Sequence, residues 1–113
     1  MTAADGGLST AVSWAGGQVA VRCSGEIDVE TGPELRKALK AALAEGPERI
    51  TVDLAGVTFC DCTGLGLLVG VRRRAQAAGV EFEVTGVTSP TVAKLIRIFG
   101  LAELLGVKWP AGG

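Results

Sequence analysis

Histidine is missing from the 113-residue sequence, and cysteine is scarce. Without an imidazole base, the Ser-His-Asp and Cys-His arrangements of nucleophilic catalysis are excluded. The three cysteines (Cys23, Cys60 and Cys62) are odd in number and lack the spacing of a disulfide framework. No third soft ligand lies near Cys60 and Cys62 in the sequence, so a zinc site is not expected. We expect neither a metal nor a cofactor, and we expect all three thiols to be reduced.

A surplus of either charge is also missing, because 11 basic residues face 12 acidic ones. This balance gives no reason to expect nucleic-acid binding. The basic run Arg72-Arg73-Arg74 is interpreted as the solvated side of a helix. The apolar run over residues 64–71 is far too short to span a bilayer, and the N-terminal residues do not resemble a signal peptide. We therefore expect a cytoplasmic protein without a membrane span.

The length of the chain fits one domain with a single core. We expect a flexible N-terminal tail over residues 1–8, the domain over residues 9–107 and a flexible end over residues 108–113. Alternating apolar residues predict strands at residues 9–14, 18–24, 49–54 and 80–85. Gly16-Gly17 favours a hairpin between the first two strands, which should pair antiparallel. The loop expected over residues 25–30 carries Glu26 and Asp28.

Three helices are predicted from start and stop signals. Thr31 and Glu34 are expected to form a capping box at the start of the first helix, which ends at Gly46-Pro47. The second helix runs from about Cys62 to Ala78, and the third follows Ser89-Pro90 and ends at Gly100. A short helical turn is expected over Leu101–Leu105. The apolar stripes predicted to be buried are Leu35, Ala38, Leu39, Ala42 and Leu43; Gly64, Leu67, Val71, Ala75 and Ala78; and Val92, Leu95, Ile96 and Phe99.

The order of elements is β-β-α-β-α-β-α, in which strand–helix–strand units favour parallel pairing and right-handed crossovers. The strands keep one polar face, whereas a sheet covered on both faces would carry continuous apolar runs. The sequence therefore predicts an α/β domain with a small mixed sheet and helices mainly on one face.

The stretch from Asp61 to Gly66 lies where the strand pattern changes to a helical one. Asp61 stands at the expected N-cap, where its carboxylate can accept a hydrogen bond from a backbone N–H of the first turn. Thr63 falls in that first turn, where the positive end of the helix dipole favours an anion such as a phosphate. The alternative is that this stretch only caps a helix. A dinucleotide site is disfavoured, because the glycines lie inside the helix and their spacing is one residue too long.

Two short motifs carry a family resemblance. Asp61-Cys62-Thr63-Gly64-Leu65-Gly66 resembles the Asp-Ser-Ser/Thr-Gly-Leu-Gly signature of anti-sigma factor antagonists, the stand-alone members of the STAS domain family. Gly25-Glu26-Ile27-Asp28 resembles the Gly-Glu-Ile/Leu-Asp signature of the same family. The resemblance runs from about Ser9 to Val107 and implies the same fold as the one predicted from the pattern.

The resemblance implies a switch that is not an enzyme. It would bind an anti-sigma factor, often a serine/threonine kinase, and so free a sigma factor; phosphorylation would switch binding off, and a protein phosphatase is a further candidate partner. The family's acceptor precedes the first glycine of the motif, which here makes Thr63 the expected phosphorylation site. Cys62 replaces the commoner serine. The residues expected to contact the partner are Asp28, Asp61, Cys62, Thr63, Gly64 and Leu65.

Several alternatives stay open at this point. Asp28 is as well explained as a solvated loop carboxylate, and Leu65 as a core residue. In the binding class, the chain could instead be a STAS scaffold subunit of a transporter or stress-signalling assembly without a phosphorylation cycle. In the enzyme class, it could be a thiol-dependent redox protein that uses Cys60 and Cys62.

Overall fold

A computed structural model describes residues 7–110 of the chain. The four strands are β1 (Leu8–Ala15), β2 (Gln18–Ile27), β3 (Arg49–Cys60) and β4 (Glu81–Thr85). The four helices are α1 (Gly32–Ala44), α2 (Cys62–Ala77), α3 (Pro90–Ile98) and α4 (Ala102–Leu105). The expected order is confirmed, including the short helical turn after the third helix. Most of the predicted N-terminal tail and the last three residues lie outside the described range.

The strands form one mixed sheet in the order β1-β2-β3-β4. β1 pairs antiparallel with β2, whereas β2 with β3 and β3 with β4 pair parallel. The predicted hairpin is present, since Ala15 pairs with Gln18 across a two-residue turn. Gly16 (φ 55°) and Gly17 (φ 83°) both have left-handed backbone angles, which is why this turn takes glycine.

One face of the sheet is apolar and the other polar. The buried face carries Val19, Val21 and Cys23 of β2, Ile50, Val52 and Leu54 of β3, and Phe82 and Val84 of β4. The residues between them, such as Thr51 and Glu83, are partly exposed. The buried residues of sheet and helices form a single core. The predicted mixed sheet with its helices on one face is therefore confirmed.

β3 is longer than its local pattern predicted, because its pairing with β2 continues past Leu54. Ser24 pairs with Gly56 and Ile27 pairs with Cys60, with register shifts that accommodate extra residues. Residues 25–27, predicted as loop, consequently belong to β2. The two sequence signatures thus lie side by side at the carboxyl ends of two parallel strands.

The starts of the three longer helices, α1, α2 and α3, differ in their caps. Asp61 accepts a hydrogen bond from Gly64 N, and Ser89 Oγ accepts one from Val92 N, as predicted. The capping box expected from Thr31 and Glu34 is wrong, since Thr31 makes no side-chain cap bond to α1. Its hydroxyl donates instead to Glu26 O at 2.8 Å. A tertiary contact with the end of β2 has displaced the local one.

The predicted helical stripes are largely correct and fail at helix ends. The buried members are Leu35, Leu39, Ala42, Gly64, Leu67, Val71, Ala75, Val92 and Ile96, while Ala38, Leu43 and Leu95 are half-buried. Ala78 is exposed and Phe99 is 53% exposed, so these two predictions are wrong. Both residues are C-caps, where the chain leaves the helix and the stripe no longer faces the sheet. No helix within residues 7–110 has both the length and the apolar content needed to cross a bilayer.

Both predicted domain boundaries fall slightly inside the ordered domain. Leu8 begins β1 and pairs with Gly25. At the other end, Lys108 N donates to Val84 O at 2.8 Å, which covers part of the edge of β4. Trp109 packs against the core, and the Arg97 guanidinium lies 4.4 Å from its ring centroid. Leu8, Lys108 and Trp109 are therefore parts of the fold.

Candidate functional site

The candidate site is the junction between β3 and α2. β3 ends at the buried Cys60, and the next backbone N–H, that of Asp61, donates to Ile27 O at 3.1 Å. This bond ties the start of α2 to the end of β2. Asp61 is extended (φ −90°, ψ −176°), as an N-cap residue should be.

The Asp61 carboxylate organises the first turn of α2. Its Oδ1 accepts from Gly64 N at 3.0 Å and from the Thr63 hydroxyl. The hydrogen bond from Thr63, followed by that from Gly64, lowers the pKa of Asp61 below its ordinary value. The carboxylate is therefore charged at neutral pH, and it holds the Thr63 hydroxyl at the exposed start of the helix.

Gly64 brings α2 against the strand ends beneath it. A Cβ at this position would lie 2.7 Å from Ile27 Cγ2 and 2.8 Å from Cys60 Sγ, closer than real contacts allow. Ile27 and Cys60 are both buried and have no room to withdraw. The glycine therefore sets how deeply the first turn sits, and with it the position of Thr63.

The loop of the second signature is held by its own hydrogen bonds. Asp28 Oδ1 accepts from Glu30 N at 2.9 Å and from Thr31 N at 3.0 Å, and Asp28 N donates to the Thr31 hydroxyl at 2.9 Å. Asp28 is half-buried and has partners within its loop, so the interpretation of an unpartnered solvated carboxylate is wrong. Its described contacts shape the loop beside the first turn of α2.

The six residues predicted to contact a partner differ in exposure. Cys62 and Thr63 are exposed, and Asp28 and Asp61 are half-buried. Gly64 is buried, and Leu65 is 1% exposed in the core. The prediction that Leu65 belongs to a surface patch is therefore wrong, because its side chain packs inward. Gly64 and Leu65 can act on a partner only through the shape of the turn.

Sequence reasoning missed two clefts that flank the exposed side of α2. One, of about 510 Å³, lies towards α1 and is lined by Arg36 and Lys40 of α1, by Thr63 and Arg74 of α2, and by four other residues of α2. The other, of about 480 Å³, lies towards α3 and α4, and its lining includes Phe99, Leu101 and Leu104. The sequence did place Arg36 and Lys40 on the side of α1 away from its buried stripe. Only the packing of α1 beside α2 shows that they lie in one cleft with Arg74 and Thr63.

The thiols give little support to redox chemistry. Burial, assisted by the nearby carboxylate of Asp53, raises the pKa of Cys23 to about 12. Burial, assisted first by Asp61, likewise raises the pKa of Cys60 to about 12. Neither is a thiolate at neutral pH, and all three cysteines are free. Within residues 7–110 no group of three or more Cys, Asp or Glu side chains is placed to hold a metal ion.

A mixed sheet covered on one face, with a capped Asp-Cys-Thr-Gly turn at the carboxyl ends of its parallel strands, is the arrangement of a STAS domain. The model of the "Mlab, STAS domain" family matches residues 10–106, and the chain belongs to this family. Within it, the chain belongs with the anti-sigma factor antagonists, a regulatory group. It is 38% identical over 87 residues to the anti-sigma-B factor antagonist of Staphylococcus aureus strain NCTC 8325, which covers 77% of this chain and 80% of that protein.

Solved structures agree with this assignment. An anti-sigma factor antagonist from Mycobacterium paratuberculosis superposes with a TM-score of 0.86 at 28% identity, covering 98% of this chain and 92% of that one. The anti-sigma factor antagonist SpoIIAA in its unphosphorylated form superposes with a TM-score of 0.74 at 23% identity, covering 92% of this chain and 90% of that one. The latter likeness concerns the fold alone.

Proposed function

We propose that this protein binds an anti-sigma factor that is a serine/threonine kinase, that binding releases a sigma factor, and that phosphorylation of Thr63 ends the binding. The observation that carries the proposal is the exposed Thr63 hydroxyl at the N-terminus of α2, oriented by Asp61. The relatives named anti-sigma-B factor antagonists support the class of partner. This role requires a cytoplasmic location, where sigma factors act.

Thr63 is suited to accept a phosphoryl group. Its oxygen would attack the γ-phosphorus of ATP held by the kinase, the bond to ADP would break, and the hydroxyl proton would pass to a base of the kinase. Asp61 accepts the hydroxyl hydrogen bond in the unmodified protein and so fixes the direction of the oxygen lone pairs. The Ser89 oxygen, by contrast, accepts the hydrogen bond from Val92 N that caps α3.

The expected effect of the phosphate on folding is small. A phosphoryl group adds roughly −1.5 to −2 charges. At the first turn of α2, the helix dipole favours this charge by about 0.3–1 kcal/mol. Phosphorylation also removes the proton that Thr63 donates to Asp61 and sets two negative groups side by side. The exposed cations Arg36, Lys40 and Arg74 of the cleft that Thr63 also lines add a favourable interaction that water screens. Together these opposing effects leave the free energy of unfolding nearly unchanged.

The expected effect on binding is large. Like charges brought together across an interface cost several kcal/mol, because water no longer screens them. A loss of about 3 kcal/mol weakens affinity more than a hundredfold. We therefore infer that the phosphate releases the partner by local repulsion and bulk, with the backbone almost unmoved.

The test uses the anti-sigma factor kinases encoded in the source genome, purified one at a time. Each is titrated with the unmodified protein and then incubated with it and ATP, and the phosphate is located by mass spectrometry. Thr63→Ala should abolish incorporation and keep binding, and Thr63→Ser should remain a substrate. Thr58→Ala is the matched control, since Thr58 is an exposed threonine of β3 and should be dispensable.

Incorporation that persists in Thr63→Ala, mapped to Thr58 or Ser89, would overturn the acceptor assignment. Binding without any phosphate transfer would favour a STAS scaffold instead. Loss of binding in Cys62→Ser, with folding unchanged, would point to thiol chemistry at the exposed Cys62.

A further inference from the structure

The helices carry most of the positive charge of this nearly neutral protein. Eight of its 11 basic residues lie within α1, α2 and α3, whereas Glu34 is the one acidic residue in these helices. The eight are Arg36, Lys37, Lys40, Arg72, Arg73, Arg74, Lys94 and Arg97. The exposed helical layer is therefore cationic.

Three of these cations line the cleft between α1 and α2, the same cleft that Thr63 lines. They are Arg36, Lys40 and Arg74, and no acidic residue contributes to the lining. Within residues 7–110 the one salt bridge joins Arg49 to Glu81, at 2.7 Å, so these three cations have no carboxylate partner there. Like charges grouped without counter-charges oppose folding slightly and are suited to a negatively charged ligand.

The opposite flank of α2 is mostly apolar, with Arg73 as the one charged residue in the lining of its cleft. Phe99 is 53% exposed and Leu104 is 46% exposed, and both line the second cleft with Leu101 and Val69. Large apolar side chains grouped at a surface mark interaction sites more often than scattered ones do. The two flanks differ in chemistry, and the exposed ridge of α2 runs between them.

The ridge itself is low because Gly66 and Gly70 lie on it, and both glycines contribute to both clefts. A Cβ at either position would meet nothing within 4 Å. A glycine inside a helix destabilises it by about 1 kcal/mol relative to alanine. No described contact requires these glycines for folding, whereas the backbone of another molecule could approach closely over them.

We propose that this surface receives an amphipathic helix of the anti-sigma partner, with acidic residues on the edge facing α1 and large apolar residues on the edge facing α3 and α4. The inference rests on the proposed function for the identity of the partner. From Thr63 to Arg74 the ridge extends ~16 Å, about three helical turns. A partner helix can present two kinds of side chain on two edges over that length.

Charge favours such a partner over a second copy of this chain. A twofold pairing through the same surface would bring the cations of both copies together. An acidic helix instead supplies the missing carboxylates and covers Phe99 and Leu104. Phosphorylation would then act within the same cleft, because a phosphate on Thr63 would add negative charge to the surface that the acidic edge must approach.

The first experiment uses three synthetic peptides of about 16 residues, ~24 Å of helix. The first carries glutamates on one edge and leucines on the other, the second replaces glutamate with lysine, and the third scrambles the first. Backbone NMR shifts should move at Gly66, Gly70 and Phe99 with the first peptide. The lysine and scrambled peptides should bind at least about tenfold more weakly, and binding of the first should weaken as salt rises.

The variants test each flank and the ridge. Combined Arg36→Glu, Lys40→Glu and Arg74→Glu should lower the affinity for the glutamate peptide by about tenfold or more. Lys37→Glu is the matched control on the same helix, since Lys37 lies outside the cleft lining. Gly70→Leu should also weaken binding by blocking the ridge, and it should fold because a Cβ there meets nothing. Circular dichroism checks the fold of each variant.

The same variants are then titrated with the full-length anti-sigma factor. If the wild type binds that factor, and the triple variant and Lys37→Glu bind it with equal affinity, the inference is overturned and the proposed function stays intact. If the protein prefers the glutamate peptide but binds no anti-sigma factor, the proposed function is refuted, whereas the docking surface for an acidic helix is retained. Three results would refute the proposal that an acidic helix docks on this surface. These are equal binding of the glutamate and lysine peptides, NMR shift changes that map to β1, and dimerisation of the protein through α2 in the absence of peptide.

Discussion

Gly64→Ala is the sharpest test of how the candidate site is built. The added methyl carbon would lie 2.7 Å from Ile27 Cγ2 and 2.8 Å from Cys60 Sγ. Both neighbours are at most 1% exposed. Ile27 is β-branched and therefore has few rotamers to choose from. The substitution must shift α2, the end of β2 or both.

The magnitude follows from two opposing effects. Inserting a methyl group into a packed core typically costs about 1–3 kcal/mol. Replacing a helical glycine with alanine returns up to about 1 kcal/mol, less in the first turn of a helix, where Gly64 lies. Gly66→Ala isolates the second effect, because its Cβ meets nothing within 4 Å. The difference between the two variants should therefore be about 1–3 kcal/mol, with Gly64→Ala the less stable.

Urea unfolding of both variants and the wild type measures this difference, with the slope m checked for constancy. Gly66→Ala should be as stable as the wild type or more stable. If Gly64→Ala and Gly66→Ala agree within about 0.5 kcal/mol, the close contact at Gly64 does not set the packing of the first turn.

Three further predictions concern the same turn. Asp61→Asn should remove a contribution to the free energy of unfolding that depends on pH. Because folding lowers the pKa of Asp61, this contribution is full above the unfolded pKa of about 3.9 and disappears as pH falls through the lower folded pKa. Urea unfolding should show that the stability difference between variant and wild type shrinks below about pH 4, and a difference that stays constant would contradict this. A maleimide reagent should label Cys62 in the native protein and reach Cys23 and Cys60 only on unfolding, because burial raises the pKa of each to about 12; rapid labelling of Cys60 would refute this. Protein phosphorylated at Thr63 should melt within a few degrees of the unmodified form, and a large drop in melting temperature would show that the phosphate acts by unfolding.

The structural features that the sequence predicted correctly depend on interactions between residues close together in the chain. The alternation in β2 and β4, the caps at Asp61 and Ser89, and the Gly16-Gly17 turn all follow from neighbouring residues. Each of these features depends on side-chain direction or backbone angles within a few residues. The sequence could therefore predict the order of elements, the single polar face of the sheet and the position of the candidate turn.

Features that depend on distant partners were missed. The last six residues of β3 form a strand because β2 pairs with them, and nothing in their own pattern says so. Thr31 bonds to Glu26 O because the end of β2 lies beside it, which no capping rule includes. Helical spacing allowed Leu65 to point either way, and only its packing in the core decides. The clefts beside α2 form only where α1 on one side and α3 and α4 on the other pack next to it, so they are a property of the assembled fold.

The uneven placement of charge, with eight of 11 basic residues on three helices, gives a protein of formal net charge −1 an electric dipole. An approaching molecule with a negative patch would exert a torque on this dipole and turn the helical layer towards itself before contact. Screening confines the torque to roughly the last 8 Å at physiological ionic strength. The association rate should therefore fall as salt is added although the net charge alone predicts almost no dependence. Orientation during encounter, in addition to attraction, would then favour productive collisions.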